Sequence, residues 1–478
     1  MIRLLSALLF LTPAPARTSL YDAAVPAAFS LPHVVLDTPM VDSMVADSTK
    51  RDSSSESDTL QFNFNNGELS FGQHKHPYIL SAPKGRHVPY LEDFSLIDFN
   101  RVTGFFLGLG TPTMVDLGPH DELGFNGGVG YGFASKRWEY RLGGEFRLPL
   151  RKFQDKDTNE DREDDTSYKH VMRGIPTIAV GAELHNVTAT DDAWRVSRLE
   201  NALDAFFSRE DFRDYYKLAG WDGYVAFRPM RNTELRFDWR SDHYESLPQN
   251  VFYGRFGGNK VLPPNPPVAE GQMNSLAISA QEEHVHTRRI ETTNLFGDSV
   301  TMEQLKGHST LAQVELGHMP GSDFGFNRYL LDARCFHPIL NGLSFDSRFR
   351  FEATTGDMIE QELEFLGGPG SLPALYRKSI GGNRMLLLNT EIRINLVALS
   401  SFFHSPDFNL VIYNDFAKMG IAADGASIFQ GFQFSGVSSI WYNVGVGLGW
   451  TDGIQVGAAW RTDIKADPRV IFRLQRAF

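Results

Sequence analysis

At 478 residues the chain is long enough for two or three ordinary domains or for one large all-β barrel. The 43 glycines, 37 phenylalanines and slightly negative mean hydropathy exclude a bundle of membrane helices but not a membrane barrel, because only alternate residues of a barrel strand meet lipid. One cysteine, Cys335, excludes a disulfide framework and a cysteine-based zinc site, and a net charge of -12 excludes the basic surface that nucleic acid requires.

The chain opens with a positive start at Arg3, an apolar run from Leu4 to Leu11, and a small-x-small site at Ala14-Pro15-Ala16, which together predict a signal peptide over residues 1–16. No later run reaches the length of a spanning helix. Residues 17–90 are expected to form a mostly disordered periplasmic lead. Their polar tract Asp47 to Asp58 cannot bury enough surface to fold, although Leu60, Phe62 and Phe64 alternate like a short strand or plug.

Residues 91–478 carry the regular pattern. From Trp138 to Leu148 every apolar side chain is even-numbered and every charge odd-numbered, a two-residue period that only a strand satisfies. Segments 234–240 and 343–352 repeat it. With further candidates from 101–110 to 469–478, the count is about fifteen, so sixteen strands are expected, with fourteen as the alternative.

A soluble sandwich also alternates. Ten-residue strands, aromatics near strand ends and an asymmetry of loop length favour the transmembrane antiparallel barrel. The short turns are read at 134–137, 229–232 and 451–453, facing the periplasm. The long loops are read at 150–174, 191–217, 244–273 and 357–383, facing outward. Within the second, Val196, Leu199, Leu203, Phe206 and Phe207 predict an amphipathic helix over 194–207, lying on the barrel mouth.

Near the C-terminal end stand Leu366-Gly367-Gly368, Leu372-Pro373-Ala374-Leu375, Gly382-Asn383-Arg384, Asn389-Thr390-Glu391-Ile392-Arg393, and a strand from Phe408 to Asp415. In order and spacing these resemble the barrel of the bacterial surface antigen superfamily, which includes BamA/TamA-type outer-membrane assembly factors and two-partner secretion transporters. The resemblance implies an inward-folded loop that carries Gly367, Gly368, Leu372, Pro373, Ala374, Leu375, Arg377 and Lys378. It implies docking through Arg384, Glu391, Arg393 and Asp415, and a C-terminal assembly signal at Phe472, Leu474 and Phe478. It further implies an outer-membrane barrel that inserts or exports polypeptides or lipids, with unfolded outer-membrane or secreted polypeptides as clients. The alternative is a passive pore or surface antigen.

Two departures from the family pattern stand out. Pro373 occupies the place of the loop's Arg and offers no donor, while Ala374 and Ala417 replace expected glycines. The lead is also too short and polar for the family's periplasmic receiving repeats.

Lumen-facing charges of both signs, Glu139, Arg141, Glu145, Arg147, Glu234, Arg236, Asp238, Arg240, Asp346, Arg348, Arg350, Glu352, Glu391 and Arg393, read as a mutually neutralising network, with a conduit or a loop seat as the alternative. Each cross-strand pair contributes about 0.2–1 kcal/mol. The acidic stretch Asp155 to Asp161 begins like a calcium loop but has Glu160 where the turn wants Gly. His284 and His286 share a strand face, yet spacing identifies no third ligand, so no metal or other cofactor is expected. Cys335 reads as a small hydrophobe. There is no G-x-S-x-G elbow, and nothing selects a nucleophile for His318, His337 or His404, so no enzymatic activity is expected.

Overall fold

The computed structural model describes residues 97–117, 123–150, 176–230, 232–256, 258–294, 296–397, 408–432, 440–450 and 454–474. The signal peptide, the lead, the acidic stretch 155–161 and Phe478 lie outside them.

Period-two alternation becomes one antiparallel sheet of sixteen strands, each paired with its neighbour in sequence. The strands are β1 (Ile97–Asn100), β2 (Gly104–Leu117), β3 (Leu123–Gly132), β4 (Arg137–Pro149), β5 (Thr177–Ala189), β6 (Tyr216–Met230), β7 (Thr233–Ser246), β8 (Gly271–Thr293), β9 (Ser299–Leu316), β10 (Phe326–Leu340) and β11 (Leu343–Gly356). After a two-stranded hairpin of β12 (Glu364–Leu366) and β13 (Ile380–Gly382) the sheet resumes with β14 (Arg384–Asn395), β15 (Phe408–Gly420), β16 (Trp441–Trp450), β17 (Ile454–Arg461) and β18 (Arg469–Arg473).

The two faces have opposite chemistry. On β4, Trp138 and Leu142 are 66% and 51% exposed, whereas Arg141 and Glu145 are 1% and 2% exposed. The pattern repeats on β7, where Leu235, Phe237 and Trp239 face out and Arg236, Asp238 and Arg240 face in. A soluble sheet hides its apolar face; this one displays it, the surface that lipid stabilises and water does not.

The interior is wet-compatible because its charges are paired. Asp332 accepts from Arg350 at 2.8 Å and from Nε of Arg348 at 3.1 Å, and Glu145 receives both terminal nitrogens of Arg228 at 2.8 Å. Removing one partner of such a buried pair strands the other, at a cost of about 3–5 kcal/mol.

Strand direction sorts the connections into two ends. One end carries 190–215, 247–256, 258–270, 317–325, 357–383, 421–432 and 462–468; the other carries the tight turns after β6 and β10. Two expectations are corrected. The turn at 133–136 lies with the long loops, and β4 ends and β5 begins at the short-turn end, because antiparallel order fixes the end whatever the loop length.

Among the described residues no ladder joins β1 to β18. Within the described residues the sheet is thus open along the line between its first strand, of four residues, and its last, of five.

Candidate functional site: two loops inside the barrel mouth

The long loops after β5 and β11 turn inward and meet. The first contains the helix α1 (Arg198–Leu203), capped by Ser197, whose hydroxyl accepts the Glu200 N–H at 3.2 Å, and running into a π turn over Asp204–Ser208. The expected helix over 194–207 is thus shifted, and its buried side differs too. Glu200, Asn201 and Ala205 are buried, while Leu203 and Phe207 are exposed, because the surface that receives the helix is the polar lumen. Phe207 instead stacks on Phe256, with ring centroids 5.8 Å apart.

The second loop is the Gly/Pro-rich segment between β11 and β14. Leu366, Leu372 and Leu375 pack with Met385, Leu387 and Ala417 on the lumen wall, and Trp194 of the first loop rests against this cluster. Gly367, Gly368 and Gly370 all have positive φ, at 115°, 89° and 78°. Gly370 is there for a second reason: a Cβ would lie 2.0 Å from the Arg195 carbonyl oxygen, so only glycine lets the two loops touch.

The predicted docking residues divide. Asn389 bridges loop and wall, donating to the Ser371 carbonyl at 2.9 Å and to Asp415 at 2.7 Å. Asp415 therefore meets the loop through Asn389, not through an Arg, and half-buried Pro373 contributes no donor. Ala374 is buried against Val411 and Tyr413. Arg377 and Lys378 do tie the loop down. Arg377 donates to the Asp211 carbonyl at 2.7 Å, and Lys378 reaches Asp192 at 2.5 Å and also pairs with Asp214. Lys378 holds the left-handed backbone, φ 50°, a conformation that costs a non-glycine residue about 1–2 kcal/mol and that the two carboxylates offset.

Three docking expectations are corrected. Arg384 donates instead to the carbonyls of Thr354, Asn383 and Ser427, fastening the segment 421–432. Glu391 and Arg393 pair with each other at 3.0 Å. They lie two and four residues beyond Asn389 along β14, on the strand whose partners Tyr413 and Val411 pack against Ala374 of the loop. At the C-terminal end, Phe472 is exposed on the outer face and the Leu474 N–H donates to Glu200 at 3.2 Å.

Sequence reasoning missed the other half of the site. Arg101, between β1 and β2, donates to Asp214 at 2.5 Å and to Asn265 at 3.2 Å. Burial pushes the Asp214 carboxyl up, but Lys378, Arg377 and Arg101 outweigh it and hold the group at about 2. Arg195 donates to the Phe365 carbonyl, and Trp194 lies between Arg348 and Arg350, 4.8 and 4.4 Å from its ring centroid. The signal available in sequence was the density of Asp, Arg and aromatic residues at 191–195 and 211–216.

The first loop also spans the seam. Glu200 accepts from Nε of Arg473 on β18, while Phe206 meets Phe99 of β1 edge to face at 5.1 Å. β1 and β18, which no ladder joins among the described residues, are thus both held by the same helical segment of the loop.

No family model and no curated protein matches the chain. Among solved structures, it is similar to the crystal structure of BamA from Haemophilus ducreyi lacking POTRA domains 1-3, at 12% identity and TM-score 0.43, over 79% of this chain and 68% of that one. It is also similar to CdiB from Acinetobacter baumannii, at 9% identity and TM-score 0.37, over 79% of this chain and 57% of that one. Similarities this loose carry no argument about activity; the barrel is read from its own strand order and its own two faces.

Proposed function

We propose that this chain is an outer-membrane β-barrel that inserts or exports polypeptide or lipid through the seam between β1 and β18, with the two inward loops as its closure. The observation that carries the reading is the seam between β1 and β18, joined by no ladder among the described residues and bridged by Glu200 and Phe206. Sixteen strands close stably when the first pairs with the last, so a barrel that leaves this ladder unmade gives up hydrogen bonds along one line, where opening costs least. The exposed Leu, Phe and Trp belt supports a membrane setting, and the filled mouth argues against free diffusion through the lumen.

A second reading, a passive barrel such as a pore or surface antigen, is favoured by Pro373, which removes the donor that would lock the loop to Asp415. Depletion in the native host separates the two. Reduced outer-membrane levels of client proteins or lipids support the first reading, and an unchanged envelope profile overturns it. In planar bilayers the first reading expects a closed or flickering barrel, the second a stable channel of fixed size.

A further inference from the structure

The strands β8 and β9 run past their neighbours. The β7–β8 ladder ends at the Thr233–Glu282 pair, yet β8 continues for eleven residues and pairs with β9 as a two-stranded ribbon on the short-turn end. At the base of this ribbon three potential ligands converge. His284 and His308 are directly opposed across the ladder, with ring centroids 5.2 Å apart. Glu282, two residues before His284 and so on the same face, sets one carboxylate oxygen 2.8 Å from Nε2 of His284 and the other 3.9 Å from Nε2 of His308.

We propose that Glu282, His284 and His308 form a binding site for a divalent transition metal of the zinc class. Two imidazole nitrogens and a carboxylate are the donor set that zinc accepts, with water in the fourth position. The ligand atoms lie within 4.8 Å of one another. A tetrahedral ion with bonds of about 2.0–2.2 Å needs donors about 3.4 Å apart, so closing the set takes a modest side-chain rotation. All three side chains are partly exposed, at 41–50%, and are free to make it.

The surroundings favour the ligating geometry. The Asn232 amide lies 3.4 Å from Nδ1 of His284, an outer partner for the ring nitrogen that does not face the carboxylate. Gly307, at φ 130°, has the His284 carbonyl oxygen 1.7 Å from where a Cβ would stand, which brings the two backbones together beside the histidine pair. The partners of His284 come from the opposite strand, His308, and from two residues before it, Glu282; His286, which shares its strand face, is not in the set.

The test is calorimetric titration of ZnCl2 into the full-length barrel in detergent, without a polyhistidine tag and in a Cys335→Ser background, since that exposed thiol pairs in register with His308. One equivalent should bind, His284→Ala and His308→Ala should each weaken it at least about tenfold, and Glu282→Gln should weaken it less. His286→Ala should leave it unchanged. With Co2+, the same protein should show the visible absorption of a tetrahedral nitrogen and oxygen site. Heat-modifiable migration on gels checks that each variant folds. Zinc uptake no tighter than that of the His284→Ala/His308→Ala double variant overturns the proposal, as does uptake abolished by His286→Ala alone.

Discussion

Glu200, on the buried side of a loop helix, accepts the Nε hydrogen of Arg473 at 2.6 Å and joins the barrel's last strand to a loop that leaves β5. Both side chains are buried, at 0% and 3% exposure. Arg473→Ala leaves the Glu200 carboxyl stranded at a cost of about 3–5 kcal/mol. The detergent-solubilised barrel should then lose its folded gel migration at a temperature several degrees lower. Glu200→Gln, which keeps an acceptor, should lower it less.

The same loop should loosen as pH rises. Burial, reinforced by the charges of Glu200 and Glu210, pushes the Asp204 carboxyl up to about 7 from an ordinary 3.8. Glu200 shifts in the same direction, its burial outweighing Arg473. A group whose folded pKa is raised contributes stability fully below its ordinary pKa and loses it as pH passes the folded value. Protection of the 190–215 amides, relative to their base-catalysed intrinsic exchange, should therefore be greater at pH 5.5 than at pH 8, and Asp204→Asn should flatten the difference.

Asp214 works with the opposite sign. Held at about 2 by Lys378, Arg377 and Arg101, it contributes above 3.8 and is lost only as pH falls towards 2. Asp214→Asn removes the carboxylate that Lys378, Arg377 and Arg101 share and leaves Asp192 and Asp211 alone to face three cations at neutral pH. The inward loop should then become accessible to trypsin after Arg377 and Lys378, bonds that the docked loop protects.

Two glycines separate strain from contact. Gly370 and Gly425 have φ of 78° and 74°, but a Cβ meets the Arg195 carbonyl at 2.0 Å in the first and nothing within 4 Å in the second. Gly425→Ala should cost only the left-handed strain of about 1–2 kcal/mol. Gly370→Ala must also separate the two loops, and should raise the frequency of conductance openings in planar bilayers while Gly425→Ala does not.

The strands were legible because a half-buried strand writes its two faces into alternate residues, and Trp138 to Leu148 does so without a break. The extension of β8 and β9 was not, since residues 283–293 are mostly polar and only Val285 and Ile290 interrupt them, too few to write a two-residue period. The inward segment could be located by its Gly/Pro run, whereas its partners could not. Lys378 and Asp192 are separated by 186 residues and joined only by the curvature of the sheet. The helix over 198–203 was read from its apolar residues, but a polar lumen selects the polar side of a helix, so Glu200 and Asn201 are buried in place of Leu203 and Phe207.

The proposed function requires the seam between β1 and β18 to open. Cysteine pairs placed across residues 97–100 and 469–472 of a Cys335→Ser chain would close it with a disulfide, in cells that depend on this protein. The account predicts that the oxidised pair lowers outer-membrane client levels as far as depletion does and that a reductant restores them. Normal client levels with the seam fully cross-linked would contradict it.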